Sequence, residues 1–136
     1  MNKSIQLLIE ESTALLAQLI AIPSLSREER HTADCISHFL IERGISNNQV
    51  GNNVIAYNKY FDENKPTILL NSHHDTVKPN PGYTKDPFEA IFVDGKLYGL
   101  GSNDAGGCLV ALIATFLYYY ADSDLTYNLC LIASAE

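Results

Sequence analysis

Basic residues, cysteines and long apolar runs are all scarce in this sequence, and each scarcity removes a class of function. Nine Lys and Arg stand against sixteen Asp and Glu, a formal charge of −7. Without a local basic patch such a chain repels a phosphate backbone, so nucleic acid is not expected as a partner. The longest apolar run, Cys108 to Ala121, is shorter than the roughly 20 residues that span a bilayer. A buried helix is the better reading, and no membrane is expected. Met1-Asn2-Lys3-Ser4 leads straight into an amphipathic pattern, not into the charged, apolar and small-residue regions of a signal peptide. The three cysteines, Cys35, Cys108 and Cys130, are odd in number and widely spaced. That argues against a disulfide framework and for reduced, packed thiols in a cytoplasmic protein.

What remains is ordinary for a globular chain, with 46% hydrophobic and 18% charged residues in a length of 136. That length fits one domain or a piece of one. Ile5, Leu8, Ile9, Leu15, Leu16, Leu19 and Ile20 recur at helical spacing and predict a helix from Ser4 to about Ile22, which Pro23 ends. Ser26 and Glu29 have capping-box spacing before a second helix through Ala33, Ile36, Phe39 and Leu40, closed by Gly44, with His31 and His38 as surface residues on it. Two strands follow, at Val54 to Tyr57 and at Thr67 to Leu70, the second apolar enough to be central. Asp94-Gly95 between short β-prone runs predicts a type I′ hairpin, because both turn positions need positive φ. Asn103 to Gly107 opens a third, largely apolar helix running through Tyr120, and Tyr127 to Ala133 reads as a buried strand. Strand, helix and strand in that order predict an α/β fold, a mixed and partly parallel sheet flanked by helices in a three-layer-like arrangement. Glu136 comes directly after that strand, where a loosely held polar tail would ordinarily be found, so the chain is expected to be the N-terminal part of a larger catalytic domain.

Ser72-His73-His74-Asp75 falls at the C-terminal end of a predicted strand, where open α/β sheets place ligand sites. A His and an Asp two residues apart can divide one task. One ring nitrogen binds a metal while the carboxylate accepts the other N–H and fixes the tautomer. Asp104, at the mouth of the third helix, has two readings. It is either an N-cap or a metal ligand whose following Gly106-Gly107 let the backbone pack closely beside an ion. Glu136 follows its strand as His73 follows its own, so neighbouring strands would bring a His and carboxylates to one edge. A carboxylate there can act as general base on a metal-activated water. His74 reads as a hydrogen-bonded neighbour, because adjacent strand residues point to opposite faces. Tyr118, Tyr119 and Tyr120 read as core and boundary residues.

Together these strings resemble the zinc-dependent deacylases that include acetylornithine deacetylase and succinyl-diaminopimelate desuccinylase, with related aminoacylases and exopeptidases. The resemblance rests on Ile22-Pro23-Ser24, His73-His74-Asp75-Thr76-Val77 with Pro79, Asp86-Pro87-Phe88, Asp94-Gly95-Lys96-Leu97-Tyr98-Gly99, Gly101 and Asp104. It implies a zinc-exopeptidase-like catalytic domain with two Zn2+ ions per site, for which Co2+ can substitute. His73 would bind one ion, Asp75 would orient His73, and Asp104 would bridge both. The reaction implied is hydrolysis of the amide of a small N-acyl amino acid, an acylated ornithine first, in a homodimeric enzyme of arginine biosynthesis. A dipeptidase, a carboxypeptidase or a desuccinylase is the alternative within the class, and a non-catalytic module keeping a half-site is the alternative outside it. Ala105-Gly106 stands where the family commonly has Met-Lys. The family's third acidic motif meets this chain only at Glu136, which is either the general base or the acidic residue before it. The remaining ligands and a lid or dimerisation domain are expected beyond it, and the 136 residues alone are expected to be inactive.

Overall fold

A computed structural model describes residues 4–136; Met1, Asn2 and Lys3 lie outside the described residues. Helix α1 (Ile5–Ala21) opens on Ser4, whose Oγ accepts the Leu7 N–H at 3.2 Å, satisfying one of the amides a helix start leaves free. It buries Leu8, Leu15, Leu16, Leu19 and Ile20, the stripe predicted from their spacing. Helix α2 is Arg30–Ile41. The expected capping box does not form. Glu29 makes no side-chain cap bond, and Ser26 Oγ turns instead to Asp75 Oδ2 at 3.5 Å.

Strand β1 (Asn47–Val50), which lacks an apolar alternation and was not predicted, pairs antiparallel with β2 (Asn53–Tyr57). Strand β3 (Thr67–His73) is followed by the small hairpin of β4 (Ile91–Val93) and β5 (Lys96–Tyr98). Asp94 and Gly95 take φ of 51° and 72° there, as a type I′ turn requires. Helix α3 (Gly107–Tyr119) then leads to β6 (Asn128–Ser134).

The main sheet has the order β1-β2-β6-β3, with β3 and β6 parallel and the other pairs antiparallel. The mixed, partly parallel sheet with helices is therefore as expected, but the central strand is not. Among the described residues β3 forms an edge, with Ile68 44% and Leu69 56% exposed, whereas β6 is the strand buried on both faces. An apolar run reports a residue's affinity for a core, not its neighbours in a sheet.

Helix α2 touches β1 and β2, α3 touches β3 and β6, and α1 packs on both α2 and α3. One core joins them, centred on Leu15, Ile36, Leu40, Val54, Leu109, Ile113, Phe116 and Leu131. Cys130 belongs to the buried set, Cys35 is half-buried, and Cys108 is exposed rather than packed as expected, because it falls on the outer side of α3. His31 and His38 are exposed on α2. No helix among the described residues is long and apolar enough to cross a membrane. Ile113 is fully buried, so Ile113→Ala is expected to cost about 2–5 kcal/mol of unfolding free energy, measured by urea denaturation.

Candidate functional site

The parallel pairing of β3 with β6 sets His73 level with Ser134, so the C-terminal ends of both strands open on one edge of the sheet. His73 leaves β3 there with its side chain 41% exposed. Its Nδ1 lies 3.0 Å from the backbone oxygen of Asp75 and 3.4 Å from Asp75 Oδ1. Both are acceptors, so this side of the ring suits a proton on Nδ1, and the peptide carbonyl is the closer partner. Asp75 thus meets the ring through its backbone oxygen as well as its carboxylate.

His73 Nε2 faces Asp104 Oδ1 at 3.1 Å. Asp104 is 87% exposed and comes from an irregular turn, Ser102–Gly106, in which it adopts φ −126° and ψ 95° before a cis peptide bond to Ala105. Neither this turn nor α3 is capped by a side-chain hydrogen bond. The N-cap reading of Asp104 is thus set aside, because its side chain caps neither segment and its carboxylate meets His73 on β3. With Nδ1 protonated, a neutral His73 ring presents a lone pair to a carboxylate oxygen. Two acceptors at that distance need a proton or a cation between them. Imidazole nitrogen and carboxylate oxygen are both zinc-type donors, so the pair fits a metal ion as two of its ligands. Among the described residues no cluster of three or more His, Cys, Asp or Glu is arranged to hold a metal.

Two glycines make the Asp104 turn possible. Gly101 has φ +75°, and a Cβ there would meet Thr76 Cγ2 at 2.6 Å. At Gly106 a Cβ would sit 2.6 Å from Leu16 Cδ1 and 2.7 Å from the backbone oxygen of Gly101, which accepts the Gly106 N–H at 2.8 Å. The small residue thus serves close packing of the turn on itself and on α1. Beside the turn, Thr76, Val77, Tyr83, Ser102 and Asn103 line a groove that ends at Asp104.

Glu136 is exposed and lies two residues beyond the position level with His73. Among the described residues its carboxylate makes no contact with His73, Asp75 or Asp104. Near its backbone N–H lies the carboxylate of Glu29, a fully buried residue that the sequence presented only as a capping candidate. Glu29 accepts from the backbone N–H of Arg27 and from Asn52 Nδ2 at 3.0 Å. Burial pushes its carboxyl upward, but the N–H groups of Arg27 and of Glu29 itself, the Asn52 side chain and the nearby Glu136 amide outweigh it, and the group is held below its ordinary value of 4.5. His74 is buried beside it, with Nε2 2.9 Å from the Asn52 carbonyl and Nδ1 2.8 Å from Thr32 Oγ1. It is the hydrogen-bonded neighbour expected from strand alternation. Burial lowers its pKa, so the ring is held neutral. The signal for both residues was a charged or ionisable side chain flanked by a predicted element boundary, which gives no hint of burial.

Two consequences are measurable. Gly106→Ala should cost about 1–3 kcal/mol through overpacking against Leu16 and Gly101, seen in denaturant midpoints. Because the folded Glu29 carboxyl titrates below its unfolded value, its stabilising contribution is present above that value. It is lost as pH falls from about 4.5 through the folded pKa. The melting-temperature gap between the native chain and Glu29→Gln should therefore be widest near pH 7 and narrow at pH 3.

Comparison with known proteins bears on what this edge is for. The sequence profile of peptidase family M20/M25/M40 matches residues 69–136, half of the chain. An acetylornithine deacetylase of Proteus mirabilis (strain HI4320) is 41% identical over 70 residues, covering 51% of this chain and 18% of its own. A succinyl-diaminopimelate desuccinylase of Rickettsia bellii (strain OSU 85-389) is 30% identical over 112 residues, covering 77% of this chain and 29% of its own. The chain thus spans less than a third of the length of these relatives. Among solved structures, an M20 family metallo-carboxypeptidase, Sso-CP2 from Sulfolobus solfataricus, shares the fold with a TM-score of 0.76 at 23% identity over 93% of this chain and 31% of its own. The YXEP protein of Bacillus subtilis, described as a dinuclear metal binding peptidase from the M20 family, does so with a TM-score of 0.68 at 21% identity, over 96% of this chain and 36% of its own. A match over half the sequence, on the segment that carries His73, Asp75 and Asp104, places the chain in the M20/M25/M40 peptidase family.

Proposed function

We propose that this chain supplies part of the catalytic domain of a metal-dependent amide hydrolase, with an N-acyl amino acid as substrate. The observation that carries the reading is the 3.1 Å approach of His73 Nε2 to Asp104 Oδ1 with His73 Nδ1 turned to Asp75. This is a ring aimed at a carboxylate across an open edge.

His73 and Asp104 would hold zinc, and the resemblance makes Asp104 the residue shared by two ions. When bound, the metal would lower the pKa of a coordinated water toward ~7 and polarise the amide carbonyl. The chain's own residues do the rest. Asp75 keeps the proton on Nδ1, so that Nε2 stays a donor of electrons. The groove that Thr76, Tyr83 and Asp104 line would take a small substrate beside Asp104. Glu136, at the end of the strand next to β3, stands on the edge from which a carboxylate can take a proton from water, as the base or as the acidic residue beside it.

Acetylornithine is the first substrate, supported by the 41% identity to the Proteus deacetylase. A succinylated diamino acid is the second, favoured by the longer aligned stretch of the Rickettsia desuccinylase. The native protein carrying this sequence should hydrolyse one of a panel of N-acetyl and N-succinyl amino acids or dipeptides. It should lose that activity on chelation and regain it with Zn2+ or Co2+. His73→Ala and Asp104→Ala should each lower kcat/KM at least about a hundredfold. Turnover that survives chelation, or survives either substitution, would sink the reading.

A further inference from the structure

The groove beside Asp104 shares a wall with a second groove. Tyr83, Gly99, Leu100 and Ser102 line both, and the second is lined further by Thr84, Lys85, Asp86 and Tyr98. Their volumes are about 280 and 220 Å³, and taken as one cleft they have the size of a small-molecule site, roughly 300–1,000 Å³. Asp104 lies in the first groove. The second holds Lys85, the one basic residue of the two linings.

The second groove is tied to the Asp104 turn by close packing and backbone bonds. Lys85 Nζ lies 4.9 Å from the centre of the Tyr98 ring, a cation–π contact that steadies a side chain otherwise free to sweep through solvent. Tyr98 ends β5, and at the next residue a Cβ on Gly99 would run into Ile20 Cγ2, so the chain there is pressed against α1. The Leu100 N–H donates to Pro87 O at 2.7 Å, joining the segment that carries Lys85 to the one that carries Tyr98. The Ser102 N–H then donates to Gly99 O at 3.2 Å, two residues before Asp104.

Among the described residues Lys85 makes no ion pair. Asp86 adjoins it in sequence, but Asp86 Oδ1 accepts the Phe88 N–H at 2.8 Å. The ammonium therefore keeps donors for a ligand. A carboxylate entering this cleft is repelled by Asp104 and drawn to the lysine, which sets the direction in which an anionic molecule lies.

We propose that Lys85, seated on Tyr98, is a specificity-determining residue that receives a carboxylate of the substrate and so leaves the amide beside Asp104. The proposal rests on the proposed function in taking Asp104 as the reacting end of the cleft. An N-acyl amino acid carries a carboxylate on its amino-acid side, and a succinyl group adds one on the acyl side. Lys85 can receive either, and the two sources are separable by experiment.

Binding can be read by NMR in the native protein with chelator present, so that nothing is turned over. N-acetylalanine carries its carboxylate on the amino acid, N-succinylalaninamide carries it on the acyl group, and N-acetylalaninamide has none. The Tyr98 ring signals should shift saturably with at least one of the two acids and not with the uncharged amide. The acid that responds identifies the carboxylate. Lys85→Met should weaken that binding at least about tenfold, the loss of one charge-assisted bond. Lys59→Met is the matched control and should leave binding unchanged. Lys59 Nζ likewise lies over a tyrosine, 5.4 Å from the Tyr60 ring, but it follows β2 where Tyr57 pairs with Cys130 near the start of β6, the opposite end from the site. A saturable shift that survives Lys85→Met, an equal shift with the uncharged amide, or no shift with either acid would overturn the proposal. Absence of hydrolysis by the native protein would leave this binding as it is, so the two readings fail separately.

Discussion

The parallel pairing of β3 with β6 is the constraint on which the rest depends. Parallel neighbours share a direction, so their C-terminal ends fall on the same edge, and a residue placed just after either strand arrives in the same neighbourhood. His73, Asp75 and Glu136 are brought to that edge by register alone, because His73 stands level with Ser134. The crossover through α3 is what makes the pairing parallel. The same helix begins immediately after the turn that presents Asp104, so one connection both orients β6 and delivers the second half of the His73–Asp104 pair.

The chain spends buried polar groups to hold this edge. Hydrophobic packing of α1, α2 and α3 fixes the bulk of the fold, but it is indifferent to the residues just past a strand's end. Directional bonds hold those instead. Glu29 and His74 are buried with their acceptors and donors filled, and Ser24 to Ser26 runs alongside His74 to Thr76 with backbone bonds at 2.8 and 3.0 Å. Fully satisfied networks of this kind are stiff, because a single misplacement leaves an unpaired group in a medium that cannot solvate it. Membership of the M20/M25/M40 peptidases rests on a profile match over residues 69–136, the segment that carries His73, Asp75 and Asp104.

Periodicity made the three helices and the apolar strands legible, since burial of one face leaves a repeating mark on the residues themselves. The turn at Asp94-Gly95 was legible for a related reason, the demand of its backbone for positive φ. Strand β1 was not, because Asn47-Asn48-Gln49-Val50 lies on the sheet margin with most of its residues exposed and has no alternation to read. Neither was the burial of Glu29: Ser26 and Glu29 matched a local capping pattern, and local patterns lose when a residue finds a better partner far along the chain, here Asn52.

By itself the sequence determined the identities of the reactive groups and their places at element ends, and so the class of chemistry open to them. His73 and Asp75 follow an apolar strand and Asp104 precedes an apolar helix, and those facts are written in order along the chain. Tertiary structure decided which groups meet. Only the fold brings Asp104 within 3.1 Å of His73 across thirty-one positions, moves β3 to the edge and β6 to the interior, and turns an apparent helix cap at Glu29 into a buried carboxylate. The reason is physical: propensity and periodicity act over a few residues, whereas pairing, burial and the filling of buried hydrogen bonds are settled between segments far apart in the chain, and no local pattern records them.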